Sequence, residues 1–452
     1  MTNRKSEHMT NQTKQETTIQ DQYKKYARPM IIRSVFQSIM HMADKLIAAL
    51  FIGESALVAT TLVSPLMFFV AALSTFFISG LAAYVGLLIG RNKVDKANHI
   101  SSGILLIMAV LGTLLAIPCI LFPEALSAFL GARGTFLTLS TDYLFIFAFS
   151  FPLMLVGKGL DALILNDGSP EFSFRINMIT TLMNIGLNAF AVIVLGWGIQ
   201  GLALATVISS AYQLLCGLYY FAFRSKVIHL KSPSFHIPTV IRIAFNGFSD
   251  FVMMIVEAVM VFVINKAFVT YLTPAHFEAY AAVSIFMVIF YSLYMGAPMG
   301  LQPMFSQMMG RKDFQQLLDL LKFSVKRTQT IGAVAYVLLI PLMPHLLKLF
   351  VDSPQALGYG QTLYVTMGAA TLLINLPLQA SIFYTAINRP LESAGISVIR
   401  TLVLVPPLVY TFIATTGIWG LALGNALTDM IMIGLVLAWM AKHPLGSLQV
   451  AD

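Results

Sequence analysis

The chain has 452 residues, 58% hydrophobic and 11% charged, with a formal net charge of +8 and a mean hydropathy of +0.80. Soluble domains carry about 25% charged residues, so the composition excludes a soluble globular protein and indicates a polytopic membrane protein. Nearly all of the positive charge lies in alternate connections between apolar runs, which is a topology signal and argues against a nucleic-acid partner.

Residues 1–28 are polar and hold no apolar run that could serve as the core of a cleaved leader, so they are expected to remain as a cytoplasmic tail. Apolar runs follow at about 29–52, 57–90, 99–121, 136–165, 174–197 and 201–223, then at 243–269, 277–308, 323–350, 358–387, 393–416 and 419–440. Each is long enough to cross a hydrocarbon core of about 30 Å as a helix. The expected fold is therefore all-α, with twelve transmembrane helices in two six-helix lobes, 29–223 and 243–440. A polar linker at 224–242 joins them and a short tail, 441–452, ends the chain. The connections rich in Lys and Arg hold Arg91, Lys93 and Lys96, then Arg224 and Lys226, Arg311 and Lys312, Arg389 and Arg400, and finally Lys442. This pattern places both termini in the cytoplasm of a plasma membrane, the inner membrane of a bacterium.

The halves repeat. Gly80-Leu81 and Gly90-Arg91 recur 220 residues later as Gly300-Leu301 and Gly310-Arg311, and Val63-Ser64 recurs as Val283-Ser284. GIQGLAL at 198–204 returns as GIWGLAL at 417–423, displaced by 219. Six spans per repeat is an even number, so the halves share one orientation and are related by an axis along the membrane normal.

The first span carries Asp44, a carboxylate that costs at least ~2.5 kcal/mol near mid-membrane unless it faces a partner, an ion or water. It is the candidate coupling site. His41, one turn earlier, could pair with it and titrate near neutral pH, although a packed histidine is the alternative. Counting from the span ends puts Asn188 and Thr206 at a comparable depth, and Asn184 shares a face with Asn188 at i, i+4. Together they offer a carboxylate, two amide oxygens and a hydroxyl, which suit an alkali cation such as Na+ or a proton; the Asn and Thr could instead be interhelical glue. In the second half Glu257 and Asp429 fall deep within spans and are candidate cavity acids. Asp161, three residues after Lys158, reads as half of an ion pair at the membrane surface. Met- and Phe-rich stretches at 67–77 and 287–309 suit loose hydrophobic recognition. Cys119 and Cys216 both lie in apolar runs, which argues against a disulfide framework or a thiolate metal site. The sequence has no nucleotide-binding loop and no catalytic signature, so no enzyme activity, no cofactor and no ATPase subunit are expected.

The span from Pro29 to Gly53, GRNKVDKAN at 90–98, NDGSP at 166–170, the stretch from Asn184 to Thr206 and GLQPMFSQMMGRKD at 300–313 together resemble the multidrug and toxic compound extrusion family, over essentially the whole chain from residue 29. The resemblance implies a monomeric transporter that exports organic cations in exchange for Na+ or H+. It casts Pro29 as a helix-bending proline, Asp44 as the coupling carboxylate and Asn184 and Thr206 as its polar partners. Glu257, ten residues after Gly247, matches the acid of members that use the second lobe. The sequence departs from the family at Asn188, where Asp is usual, and at 375–388, where the acid paired with Glu257 in some members is missing. The rival readings are a lipid-linked saccharide flippase, which would want a cationic central cavity, and a membrane-embedded transferase, which would want polar loops with clustered His, Asp or Glu.

Overall fold

The computed structural model describes residues 19–38, 51–52, 54–348, 351 and 353–444. They form α1 (19–38), α2 (Glu54–Gly90), α3 (Val94–Leu121), α4 (Pro123–Phe129), α5 (Thr135–Ala148), α6 (Ser150–Asn166), α7 (Pro170–Ala189) and α8 (Gly198–Phe223). The second half supplies α9 (Ile237–Tyr271), α10 (Pro274–Arg311), α11 (Phe314–Leu339), α12 (Met343–Leu347), α13 (Pro354–Thr371), α14 (Asn375–Ala386), α15 (Pro390–Val398), α16 (Val405–Thr416) and α17 (Trp419–Lys442). Among the described residues seven helices are long and apolar enough to cross a membrane. The bent pairs α5/α6, at 44°, and α13/α14, at 45°, bring the number to nine if each counts as one span. Helix occupies each of the twelve expected spans where it is described.

Local chemistry sets the helix ends. Proline opens α4, α7, α10, α13 and α15, where its fixed φ suits the first turn and its missing N–H is not needed. Asp313 caps α11 by accepting from the Gln316 N–H at 3.3 Å. The backbone repeats along with the sequence. Asn92 (φ 58°) and Lys312 (φ 61°), 220 residues apart, both take the left-handed conformation that ends a helix. Gly168 (φ 82°) and Asn388 (φ 63°) form a second such pair at the same offset.

Two observations differ from the sequence reading. The first helix is already formed at Ile19, ahead of Pro29, within the stretch expected to be a polar tail. Its signal is a stripe: Ile19, Tyr23, Tyr26, Ala27 and Met30 recur at helical spacing and are all buried, although the segment is polar on average. Contacts also divide the chain inside α1 and α9 rather than at the linker, into a unit of Phe36–Phe251 and a unit formed by the chain up to Val35 with Val252–Asp452. Close helix approach at glycine accounts for both cuts. In the first unit a Cβ on Gly80 would lie 1.9 Å from the Ile243 carbonyl oxygen, and Ser79 donates a hydrogen bond to Asp250 beside it. In the other, a Cβ on Gly300 would lie 2.5 Å from the Tyr26 carbonyl oxygen, and Tyr23 reaches Thr328 at 3.2 Å.

The core of the first unit is built on Phe151, Leu155, Leu160 and Leu163 of α6, and that of the second on Tyr364, Val405 and Val409. The polar linker after α8 is fastened to the first unit through Asp167. That carboxylate accepts the backbone N–H groups of Lys226, Val227 and Ile228, each at 2.7 Å, and the Tyr220 hydroxyl at 2.5 Å. The Asn98 side-chain oxygen accepts the His229 N–H at 3.0 Å, which extends the seam. Asp167→Ala leaves three N–H groups without their acceptor and is expected to cost on the order of 3 kcal/mol. The thermal unfolding midpoint in detergent should fall and protease should cleave within 224–236 faster, with Asp167→Asn intermediate; an unchanged cleavage rate would show that the linker is held by other contacts.

Candidate functional site

In the first unit the polar side chains of α7 form a file. Ser173, Asn177, Thr181, Asn184 and Asn188 follow one another at i+4 or i+3, which keeps them on one face over about 22 Å. At one end Ser173 Oγ (2.5 Å) and Asn177 Nδ2 (2.9 Å) donate to Asp161 of α6, which is 6% exposed. Gln213 of α8 donates to Asn177 at 3.3 Å. At the other end Asn188 Nδ2 donates to Asn184 Oδ1 at 3.3 Å, and Asn184 Nδ2 donates to Thr206 Oγ1 of α8 at 3.4 Å. Asn188 and Thr206, placed at one depth by counting, are thus linked through Asn184.

The second unit reuses the scaffold with other side chains. At an offset of 220, Asp161, Ser173 and Asn177 correspond to Ser381, Ser393 and Ser397. Ser381 lies 3.0 Å from the Ser393 hydroxyl and 3.2 Å from that of Ser397. The acid of the first node has become a hydroxyl. Among the described residues this unit buries an ion pair elsewhere: Arg400 Nε and Nη2 donate to the two oxygens of Asp429 at 2.6 and 3.2 Å, with side-chain exposures of 15% and 2%. Arg400 sits in a π-helical turn, Ile399–Leu404, between α15 and α16. Pro406 and Pro407 follow it and supply no N–H to the carbonyls one turn earlier, and the backbone widens where the α-ladder lacks donors. The pair forms part of the wall of a cavity of about 350 Å³, whose other walls include Tyr280, Met287, Tyr291 and Met367.

Asp44 and His41 lie outside the described residues. Glu257 is on α9, and its side chain is likewise outside them. Pro29 lies inside α1, which is helical on both sides of it. Asp161 is buried against α7, where it accepts from residues 12 and 16 positions further along the chain. One sequence reading changes. Arg400, taken for a marker of a basic connection, is an interior residue that neutralises Asp429. The repeat carried a signal for this pair: their counterparts in the first half are the neutral Thr180 and Ser210.

A family model described as MatE matches residues 29–190 and 251–411, most of both halves. The chain belongs to the MatE family. Curated relatives of this MatE protein include the multidrug export protein MepA of Staphylococcus saprophyticus, 25% identical over 355 residues, and MepA of Staphylococcus aureus strain N315, 25% identical over 362 residues. Each alignment covers 77% of both chains. Among solved structures, an outward-facing multidrug resistance MATE family transporter of the MOP superfamily superposes with a TM-score of 0.87 at 18% identity, covering 93% of this chain and 95% of that one. A MOP superfamily transporter from Pyrococcus furiosus, described as having a binding pocket of reverse polarity that suggests a different function, gives 0.84 at 17% identity over 94% and 96% of the two chains. These likenesses establish the fold, an all-α multi-pass membrane protein built as two repeated six-helix halves.

Removing one partner of a buried ion pair leaves an uncompensated charge and costs about 3–5 kcal/mol, whereas replacing both is often neutral. Arg400→Thr alone is therefore expected to lower the thermal unfolding midpoint strongly, and Arg400→Thr with Asp429→Ser, the residues of the first half, to recover most of it. Equal losses in the single and double variants would mean that the pair does not couple the two helices.

Proposed function

We propose that this MatE protein is a secondary-active exporter of organic, mostly cationic and amphipathic compounds, driven by exchange for Na+ or H+. It works in the plasma membrane as a monomer, with both termini in the cytoplasm, and needs no ATPase subunit. The name of the MepA relatives, multidrug export protein, supports the cargo class. The basic turns around Arg91 and Arg311 support the orientation.

The observation that carries the coupling half of the reading is the hydrogen-bonded file on α7. Amide, hydroxyl and carboxylate oxygens in series suit a hard monovalent cation, and the same groups suit a proton. Asp44 is assigned as the entry carboxylate. Its charge in an apolar surround must be neutralised before a path can close around it, so ion arrival biases the transporter toward release of cargo. A ligand acts on such an equilibrium only through differential affinity for its states, and a carboxylate that is paired in one state and not in the other supplies that difference.

The test uses proteoliposomes loaded with a cationic dye, with a sodium gradient and a pH gradient imposed in separate runs. Dye movement is expected with one of the two gradients and is abolished by Asp44→Asn. Asp161→Asn keeps an acceptor for Ser173 and Asn177 but removes the charge, and is expected to shift the ion dependence without loss of expression. Movement that needs neither gradient, or that survives Asp44→Asn, would overturn the antiport reading.

A further inference from the structure

We propose that the linker after α8 lies on the membrane surface and binds the anionic headgroups of the surrounding lipid, with Arg224 and Lys226 meeting lipid phosphate and Val227, Leu230 and Phe235 set into the interface.

The outer surfaces of the two flanking helices lead to it. On α8 the exposed apolar residues Ile208, Leu215, Tyr219 and Phe223 recur at helical spacing, and on α9 Ile237, Ile241, Phe245 and Phe248 do the same. In a membrane protein such stripes face lipid. They run as far as the residues that flank the linker, Phe223 at 75% and Ile237 at 69% exposed, so the hydrocarbon edge reaches it from both sides. Within the linker the apolar side chains are again outward: Val227, Leu230 and Phe235 are exposed, and Ile228 is the one buried residue of 224–236.

The backbone gives a second, independent sign. The N–H groups of Lys226, Val227 and Ile228 go to Asp167, that of His229 to Asn98, that of Lys231 to Ser102 Oγ at 3.1 Å and that of Ser234 to the His99 carbonyl at 3.1 Å. Gly103 lets the chain lie this close, since a Cβ there would stand 2.4 Å from the Ser234 carbonyl oxygen. A loop in water can leave such donors to solvent, whereas a segment at the hydrocarbon edge has to satisfy them within the protein.

Charge identifies the partner. Residues 224–242 hold Arg224, Lys226, Lys231 and Arg242 and no Asp or Glu. Lys231 is paired with Asp95 at 2.7 Å, and the Arg242 guanidinium lies over the Tyr84 ring at 5.7 Å. Arg224 and Lys226 are exposed, and among the described residues neither has a carboxylate partner. Topology alone accounts for basic residues in this connection, but not for the apolar side chains beside them or for the fastened backbone. Basic and apolar groups together suit an anionic bilayer surface, where the first meet phosphate and the second leave water. A protein partner fits less well, because the apolar row continues surfaces that already face lipid.

The proposal needs membrane insertion and not the export reading, and its test imposes no gradient. Full-length protein with Cys119→Ala, Cys216→Ala and Leu230→Cys carries a bimane label at the last position and is placed in phosphatidylcholine liposomes. Quenching is measured with trace lipid bearing a nitroxide near the top of one acyl chain, as phosphatidylglycerol in one sample and phosphatidylcholine in the other. The phosphatidylglycerol form should quench at least ~twofold more strongly. Arg224→Gln with Lys226→Gln should bring the two lipids level, and salt at about 1 M should do the same to the labelled parent. Quenching by the phosphatidylcholine form should persist in the Gln variant, which shows that the linker is still seated. Equal quenching by the two lipids in the parent, or a preference that survives the Gln variant, would overturn the proposal. So would a label reached by aqueous iodide and by neither lipid, the result expected of a linker that faces water.

Discussion

A carboxylate withdrawn from water has to be met by donors or by positive charge, and the buried acids of this chain meet that demand in different ways. Asp167 takes three backbone N–H groups and a tyrosine hydroxyl, and so fixes the linker to the first unit. Asp161 takes a serine and an asparagine from the next helix and begins the polar file along α7. Asp429 takes a guanidinium from the preceding span. In an apolar interior each arrangement is costly to disturb, because a donor left without its acceptor is not rescued by solvent. The placement of charge therefore dictates which helices must stay together.

The internal repeat separates what the fold needs from what the site needs. The features shared between the halves concern the backbone: glycines at close approaches, left-handed residues after α2 and α10, and bends within the α5/α6 and α13/α14 pairs. The features that differ are polar side chains on this shared frame. Ser381 replaces Asp161, while Arg400 and Asp429 replace Thr180 and Ser210. A frame that forms with either set leaves those positions open to be tuned for ligands.

The spans and the repeat were legible in the sequence because bilayer crossing imposes a length and an apolarity that a count of residues detects. The nearness of Asn188 and Thr206 was legible because depth along a helix follows from counting, and that of Asn184 because i, i+4 spacing shares a face. Three features were hidden for physical reasons. The helix at 19–28 depends on a one-sided stripe that an average over the segment conceals. The bonds from Ser173 and Asn177 to Asp161 were hidden because those residues lie 12 and 16 positions further on and reach it only through helix packing. Arg400 read as part of a basic connection because Arg389 precedes it, and a π turn cannot be seen in residue spacing.

The contrast between the two halves also narrows where an exchangeable cation could act. Asp429 is neutralised by a group attached to the same chain, so occupancy of that site by a mobile cation would require the guanidinium to leave or two positive charges to share one carboxylate. The first unit lines α7 with neutral oxygens, Asn184 and Asn188 beside Thr206 of α8, which can coordinate a small cation without first releasing a fixed one. On the proposed antiport the halves would then be specialised, with the first the one turned toward the ion. A single polypeptide built from two copies of one six-helix frame can acquire that division by changing a few buried side chains, since the backbone that holds them is already duplicated.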